Sequence, residues 1–292
     1  MQHFSSLADM HRFNGIAVPE NPLFSAIRCV NRCNLGDREF TSDFYMIALK
    51  KLTAGVILYG RTKYDHDTGS MSFIKPRQVV EFKNLEFEED AFMIFIHEDY
   101  LSGNKLHNEI SGYGYFDYEI NEALHLSPRE EQVMWDLYLK IENEYLNNTD
   151  EYSRDIILTH IDSMLKYSQR FYKRQFINRA KLSGKTVSQF NEAMAKYFQG
   201  GQGLPTVSML AGQLNISPRY LSDLLKQETG KTAIENIHIY LINEAKNRLK
   251  SQQQNISEIA YELGFENVPY FSRLFKKETG ISPNQFKKQL IN

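Results

Sequence analysis

The sequence predicts an α+β protein in which a β-rich N-terminal part precedes a helical C-terminal part. Three observations carry this. Short runs of β-forming residues, broken by turn residues, fill the chain to about Leu126. Two long stretches of helical period follow, ending near Phe176. Beyond them an eleven-residue phrase is written twice, as YLSDLLKQETG at 220–230 and YFSRLFKKETG at 270–280, with seven positions identical.

The short strands and frequent turns of the first part, residues 1–126, suggest an antiparallel barrel or sandwich, and a small barrel is expected. DFYMIALKKLTAGVILYG (43–60) reads as two strands around Thr53-Ala54-Gly55. GSMSFIKPRQVVEF (69–82) has a turn-strand-Pro-strand texture, and AFMIFIHEDYL (91–101) is a buried strand too short for a long helix.

Residues 127–177 predict an antiparallel helical pair. Ser127 is placed as N-cap, with Pro128 at the first helical position and Glu130 completing a capping box. Val133, Met134, Leu137, Tyr138, Ile141 and Tyr145 keep helical spacing, and the run 147–150 stops the helix. A second helix is expected over 152–176. Its stripe is either wholly core or partly a seam between two copies of the chain. NRAKLSGKT (178–186) is polar and basic and contains Gly184; a linker is expected at 178–185 and a separate domain at 186–292.

The repeat is larger than the quoted phrase. VSMLAGQLNI (207–216) aligns with ISEIAYELGF (256–265), so each unit is helix, tight turn, helix. Ala211 and Ala260 are small where the second helix crosses the first. Asn215 and Gly264 stand where a left-handed backbone is needed. Ser217 and Asn267 cap the second helices, with Pro218 and Pro269 in their first turns. Gly230 and Gly280 end them. Leu221, Leu224 and Leu225 form one inward face, and Phe271, Leu274 and Phe275 form its counterpart. The outward faces are polar and, in the second unit, basic. The C-terminal part is thus an all-α domain with two helix-turn-helix units joined by a long helix at 233–251. Nineteen residues at the α-helical rise span roughly 28 Å, against about 34 Å for one turn of duplex DNA.

Composition narrows the classes. The chain has 292 residues, 42% apolar and 24% charged, which is ordinary for a folded protein of about two domains. The net charge is −2, but residues 201–292 carry 11 Lys/Arg and 8 Asp/Glu, a balance of +3 that leaves −5 for the rest. Cys29 and Cys33 lack redox or zinc spacing and are expected as reduced thiols. The N-terminus has no secretory pattern and no apolar run spans a bilayer, so a cytoplasmic protein without a membrane partner is expected.

The pattern ISEIAYELGFENVPYFSRLFKKETGISPNQFKK (256–288) resembles the AraC/XylS family of bacterial transcription regulators, and LNISPRYLSDLLKQETGKT (214–232) resembles it more loosely. The resemblance covers about a hundred residues well. It implies double-stranded DNA as partner, with RNA polymerase recruited. It implies a cupin-like sensor region and dimerisation through the helical pair. Carried over position by position, it makes Arg219, Ser222 and Asp223 base-facing in the first unit, and Val268, Pro269, Ser272 and Arg273 in the second. It makes Ser208, Ser257, Lys226, Lys276 and Lys277 phosphate contacts. Asp223 departs from the family pattern, where basic or amide residues are commoner. A carboxylate accepts from cytosine N4 but repels phosphate.

The N-terminal region invites a ligand pocket lined by Tyr45, Tyr59, Phe73, Phe82 and Phe95, with Arg38 or His66 as polar anchor; the same aromatics also suit plain core. The eight histidines form no H-x-H pair, and no phosphate loop, nucleophile elbow or catalytic cysteine motif is present. No metal, no cofactor and no enzyme activity are expected. The expectation is a sequence-specific DNA-binding regulator, an activator, whose N-terminal region senses an effector, dimerises, or both. The alternative is a protein-interaction regulator whose helix-turn-helix units have lost DNA.

Overall fold

The protein is described by a computed structural model for all residues except 1, 30–32, 35–37, 51–57, 60–61, 64–68, 83–85, 88–90, 119–121, 148–149, 184–185, 200–202, 252–253 and 290–292. It divides into two compact units, Met1–Gln175 and Phe176–Asn292.

In the first unit, β1 (Gln2–Phe4) and α1 (Leu7–Phe13) precede the strands β2 (Phe24–Cys29), β3 (Cys33–Asn34), β4 (Arg38–Ser42), β5 (Phe44–Lys50), β6 (Leu58–Tyr59) and β7 (Thr62–Lys63). Then come β8 (Ser70–Ile74), β9 (Val80–Phe82), β10 (Glu86–Phe87) and β11 (Ala91–His97), followed by short turns of helix including α2 (Leu106–Glu109), and by β12 (Leu124–His125). The main sheet is antiparallel, in the order β12-β8-β5-β11-β2. A second sheet runs β1-β4-β9, and β10-β3 and β6-β7 pair separately.

The expected barrel is not closed. Among the described residues the five-stranded sheet is open, with β12 and β2 at its edges. At the β12 edge a side chain supplies the hydrogen bonds that a further strand would make. The His125 N–H donates to Gln175 Oε1 at 2.9 Å, and Gln175 Nε2 donates to the Ala123 carbonyl at 3.3 Å. An edge satisfied in this way does not need closure.

Strand alternation also divides the expected ligand pocket. Phe95 lies opposite Met46, and Met46 opposite Ile74, so these share one face. That face joins Phe4, Leu7, Met10, Phe40, Phe44 and Val80 in a buried core. Phe73 lies opposite Ile47 and Tyr45 opposite Ile96, which puts them on the other face. There Tyr45 meets Phe116 edge-on at 5.2 Å, and Phe73 meets Tyr115 at 4.6 Å. A sheet thus separates Phe95 from Tyr45 and Phe73, and the three do not line one cavity. Arg38 and Phe82 pair in register across β4 and β9, and Tyr59 lies in β6. The side chains of these three, and all of His66, lie outside the described residues, as does the expected turn at Thr53-Ala54-Gly55.

Two helices cover the second face. In α3 (Pro128–Leu146) Ser127 and Glu130 form the expected capping box, and Met134, Leu137, Tyr138 and Ile141 are buried. Tyr138 stacks on Phe92 at 4.3 Å with planes 9° apart. The helix α4 (Ser153–Ser183) continues past the expected end near Phe176, so the polar stretch from 178 to 183 is helical. Nothing in NRAKLS breaks a helix; the first glycine is Gly184. Arg174 on α4 donates to both oxygens of Glu130 and to the His125 carbonyl. No helix among the described residues is long and apolar enough to cross a membrane.

The second unit is helical: α5 (Thr186–Gln199), α6 (Val207–Gln213), α7 (Pro218–Thr229), α8 (Ala233–Ser251), α9 (Ile256–Glu262), α10 (Val268–Thr279) and α11 (Pro283–Gln289). Its core runs along α8, where Ala233, Ile237, Leu241, Ile242, Ala245 and Leu249 are buried.

Candidate nucleic-acid interface

Each repeat builds the same device from the same local rules. In the first unit Thr206 caps α6 by accepting from the Met209 N–H, and Ser217 caps α7 by accepting from Tyr220. In the second, Asn255 caps α9 in a capping box with Glu258, and Asn267 caps α10 by accepting from Tyr270. The turns between the paired helices take a left-handed residue, Asn215 at φ 54° and Gly264 at φ 88°. Each closes with matched bonds: Ile216 N–H to Ala211 O at 3.1 Å, and Phe265 N–H to Ala260 O at 3.0 Å. Gly230 at φ 74° and Gly280 at φ 82° end the second helices. Beneath them Leu221, Leu224 and Leu225 are buried in one unit, and Phe271, Leu274 and Phe275 in the other.

The correspondence continues past the quoted phrase. Thr229 and Thr279 each donate to the carbonyl four residues back at 2.7 Å. Thr232 then pairs with Glu235 at the start of α8, and Ser282 with Gln285 at the start of α11. The Thr232 hydroxyl and N–H hold the Glu235 carboxyl below its ordinary range.

The outward faces differ. On α10, Pro269, Arg273, Lys276 and Lys277 are exposed, and Val268 and Ser272 are half-buried. On α7, Arg219 and Lys226 are exposed, and Ser222 and Asp223 are half-buried. Ser208 and Ser257 are exposed at the second position of α6 and α9. All the residues expected to meet bases thus lie on the two second helices. All three of those on α7 are already engaged. Arg219 Nε donates to Asp223 Oδ2 at 3.1 Å, and Ser222 Oγ accepts from the Ala233 N–H at 3.3 Å. The residue matching Ala233 is Pro283, which has no N–H, so Ser272 is not tied in this way.

Further links hold the units in place. Arg248 on α8 donates to Glu244 at 3.1 Å and to Glu262 on α9 at 2.6 Å. Gly264 lies against the backbone of Gly203 and Leu204: a Cβ at 264 would stand 2.1 Å from the Gly203 carbonyl carbon. The ring of Tyr220 is buried and meets Phe176 edge-on at 5.2 Å, whereas Tyr270 is 39% exposed. Sequence reasoning missed the Gly264 contact because its partner is 61 residues away. It also missed the Arg219–Asp223 pair, although four-residue spacing on a helix is the signal for it.

Two capped helix-turn-helix units carried on one connecting helix define a double helix-turn-helix protein. A family described as a helix-turn-helix domain matches residues 210–289. The HTH-type transcriptional regulator YfiF of Bacillus subtilis (strain 168) is 33% identical over 136 residues, 46% of this chain and 41% of that one. The arabinose operon regulatory protein of Escherichia coli (strain K12) is 33% identical over 81 residues, 28% of each chain. This chain therefore spans less than half the length of either relative. Among solved structures, the C-terminal domain of AraT, a response regulator from Geobacillus stearothermophilus, is 36% identical. That match covers 35% of this chain and 84% of that one, with a TM-score of 0.31. Residues 210–289 thus form a helix-turn-helix domain of the AraC type, similar to those of AraC-family transcriptional regulators.

Proposed function

We propose that the protein is a sequence-specific DNA-binding transcription regulator, an activator that recruits RNA polymerase in the cytoplasm. The observation that carries this reading is the pair of capped recognition helices, α7 and α10, each with an exposed polar face over a buried apolar one. The α8 helix, roughly 28 Å long, suits readers placed about one helical turn of DNA apart. Val268, Pro269, Ser272 and Arg273 face bases in the second unit, with Arg273 forking to a guanine edge. Ser208, Lys226, Ser257, Lys276 and Lys277 hold phosphates. The first unit of the chain serves dimerisation, effector sensing, or both. Leu146, Tyr152 and Ile156 are 73%, 64% and 40% exposed, and this apolar surface on the helical pair supports a homodimer.

A second reading, a protein-interaction regulator that has lost DNA, draws on the pairing of Arg219 with Asp223 and the balance of only +3 over residues 201–292. Selection from a random DNA library by the full chain separates the two. The expected result is one site with two short elements about one helical turn apart. Arg273→Ala should then weaken binding to that site by about 1–3 kcal/mol. Equal binding by the variant removes Arg273 from the interface, and no enriched site at all favours the second reading.

A further inference from the structure

The base-facing expectation for α7 treats Arg219 and Asp223 as two independent readers, but the structure joins them. They lie one helical turn apart, with Arg219 Nε donating to Asp223 Oδ2 at 3.1 Å. The Asp223 side chain is the more sheltered, 25% exposed against 49% for Arg219. A carboxylate on Nε fixes the guanidinium plane, and the two terminal amino groups then point away from it as an end-on fork. Such a fork matches the O6 and N7 acceptors of guanine.

We propose that Asp223 is a positioning residue: it aims Arg219 at a guanine edge and reads no base itself. The inference rests on the DNA-reading function proposed above and refines it at one side chain. Asp223 at the protein–DNA boundary otherwise makes little electrostatic sense, because an isolated carboxylate there repels phosphate. Paired with Arg219 it cancels one charge. The pair then contributes base discrimination while adding little to counterion release. The second unit has no such arrangement. Arg273 occupies the position matching Asp223, and the position matching Arg219 is Pro269. Arg273 therefore brings full charge without an aiming partner on its own helix, and the two recognition helices divide the work of discrimination and attraction.

The experiment uses the full chain and the site it selects from a random library. Binding of wild type, Arg219→Ala, Asp223→Asn and the double variant is measured on that site and on every single-base change of it, at several salt concentrations. Arg219→Ala should lower discrimination at one G·C pair by about 5–150-fold, the range for a lost bidentate base contact. Asp223→Asn should lower discrimination at that same pair and steepen the salt dependence. The double variant should discriminate no worse than Arg219→Ala alone. Arg219→Lys, which keeps the charge but not the fork, should bind with near-normal strength and discriminate poorly. The inference is overturned if Asp223→Asn relaxes a different base pair, which would make Asp223 a reader. Unchanged discrimination in Asp223→Asn also overturns it, leaving only a solvated ion pair. Failure of the wild-type chain to select any site is a different result: it overturns the DNA-reading function itself, and this assignment with it.

Discussion

The two helix-turn-helix units share caps, turn bonds and C-terminal glycines, yet they differ in what each turn and face must also do. In the first unit the turn residue Asn215 needs only its left-handed backbone, and the recognition helix is partly enclosed: Tyr220 is buried and Ser222 is tied to Ala233. In the second unit the turn is pressed against another segment, while the face of the recognition helix is open, with Tyr270, Arg273, Lys276 and Lys277 exposed. One repeat is built into the core along its reading helix, and the other is anchored through its turn. Sequence identity between copies therefore marks what the motif needs, and the differences mark where each copy sits.

Substitution at the two turns tests this contrast hardest. Gly264→Ala places a Cβ within 2.5 Å of three backbone atoms of Gly203 and Leu204, at a φ that L residues rarely adopt. It should cost roughly 3–5 kcal/mol, combining overpacking with left-handed strain. Asn215→Ala meets only the backbone term and should cost about 1 kcal/mol. Urea denaturation of the two full-length variants measures both, and equal losses would break the distinction between the turns.

The tyrosines come next. Tyr220→Ala should cost about 3–5 kcal/mol as a large buried ring is lost. Tyr270→Ala, at a position 39% exposed, should cost about 1 kcal/mol or less. Matching melting temperatures for the two variants would show that α7 is no more enclosed than α10.

The smallest expected effect concerns pH. His238 on α8 is pushed below its ordinary pKa by burial, against the opposing pull of Glu278 on α10. The folded chain then holds this imidazole neutral while the unfolded chain protonates it near pH 6.5. The stability it confers is present above pH 6.5 and is lost as pH falls below that value. His238→Gln should flatten the decline in urea midpoint below pH 6.5 relative to wild type; parallel curves would remove His238 from the acid response.

Much of the second unit was legible because its signals are local. Asn215, Gly264, Gly230 and Gly280 take the left-handed backbone that their residue types favour, and Ser217 and Asn267 cap where they stand before a proline-bearing first turn. The capping box at Ser127 was legible for the same reason. The first unit of the chain was harder. Whether Phe73 and Phe95 share a face depends on strand register, which alternation within each strand does not set. The hydrogen bonds at the β12 edge come from Gln175, fifty residues from the His125 N–H that it satisfies. The end of α4 was misplaced because polar and basic residues propagate a helix as readily as they form a link.

The bare backbone at Gly264 has a bearing on modularity. The repeat looks like two interchangeable parts, and a builder assembling a chimera from two copies of the first unit would write Asn at the second turn. That asparagine would accept the left-handed angle, but its Cβ would fall 2.1 Å from the Gly203 carbonyl carbon. The copies are therefore not spare parts for one another: the order in which they occur along the chain is written into the one atom that the second turn leaves out.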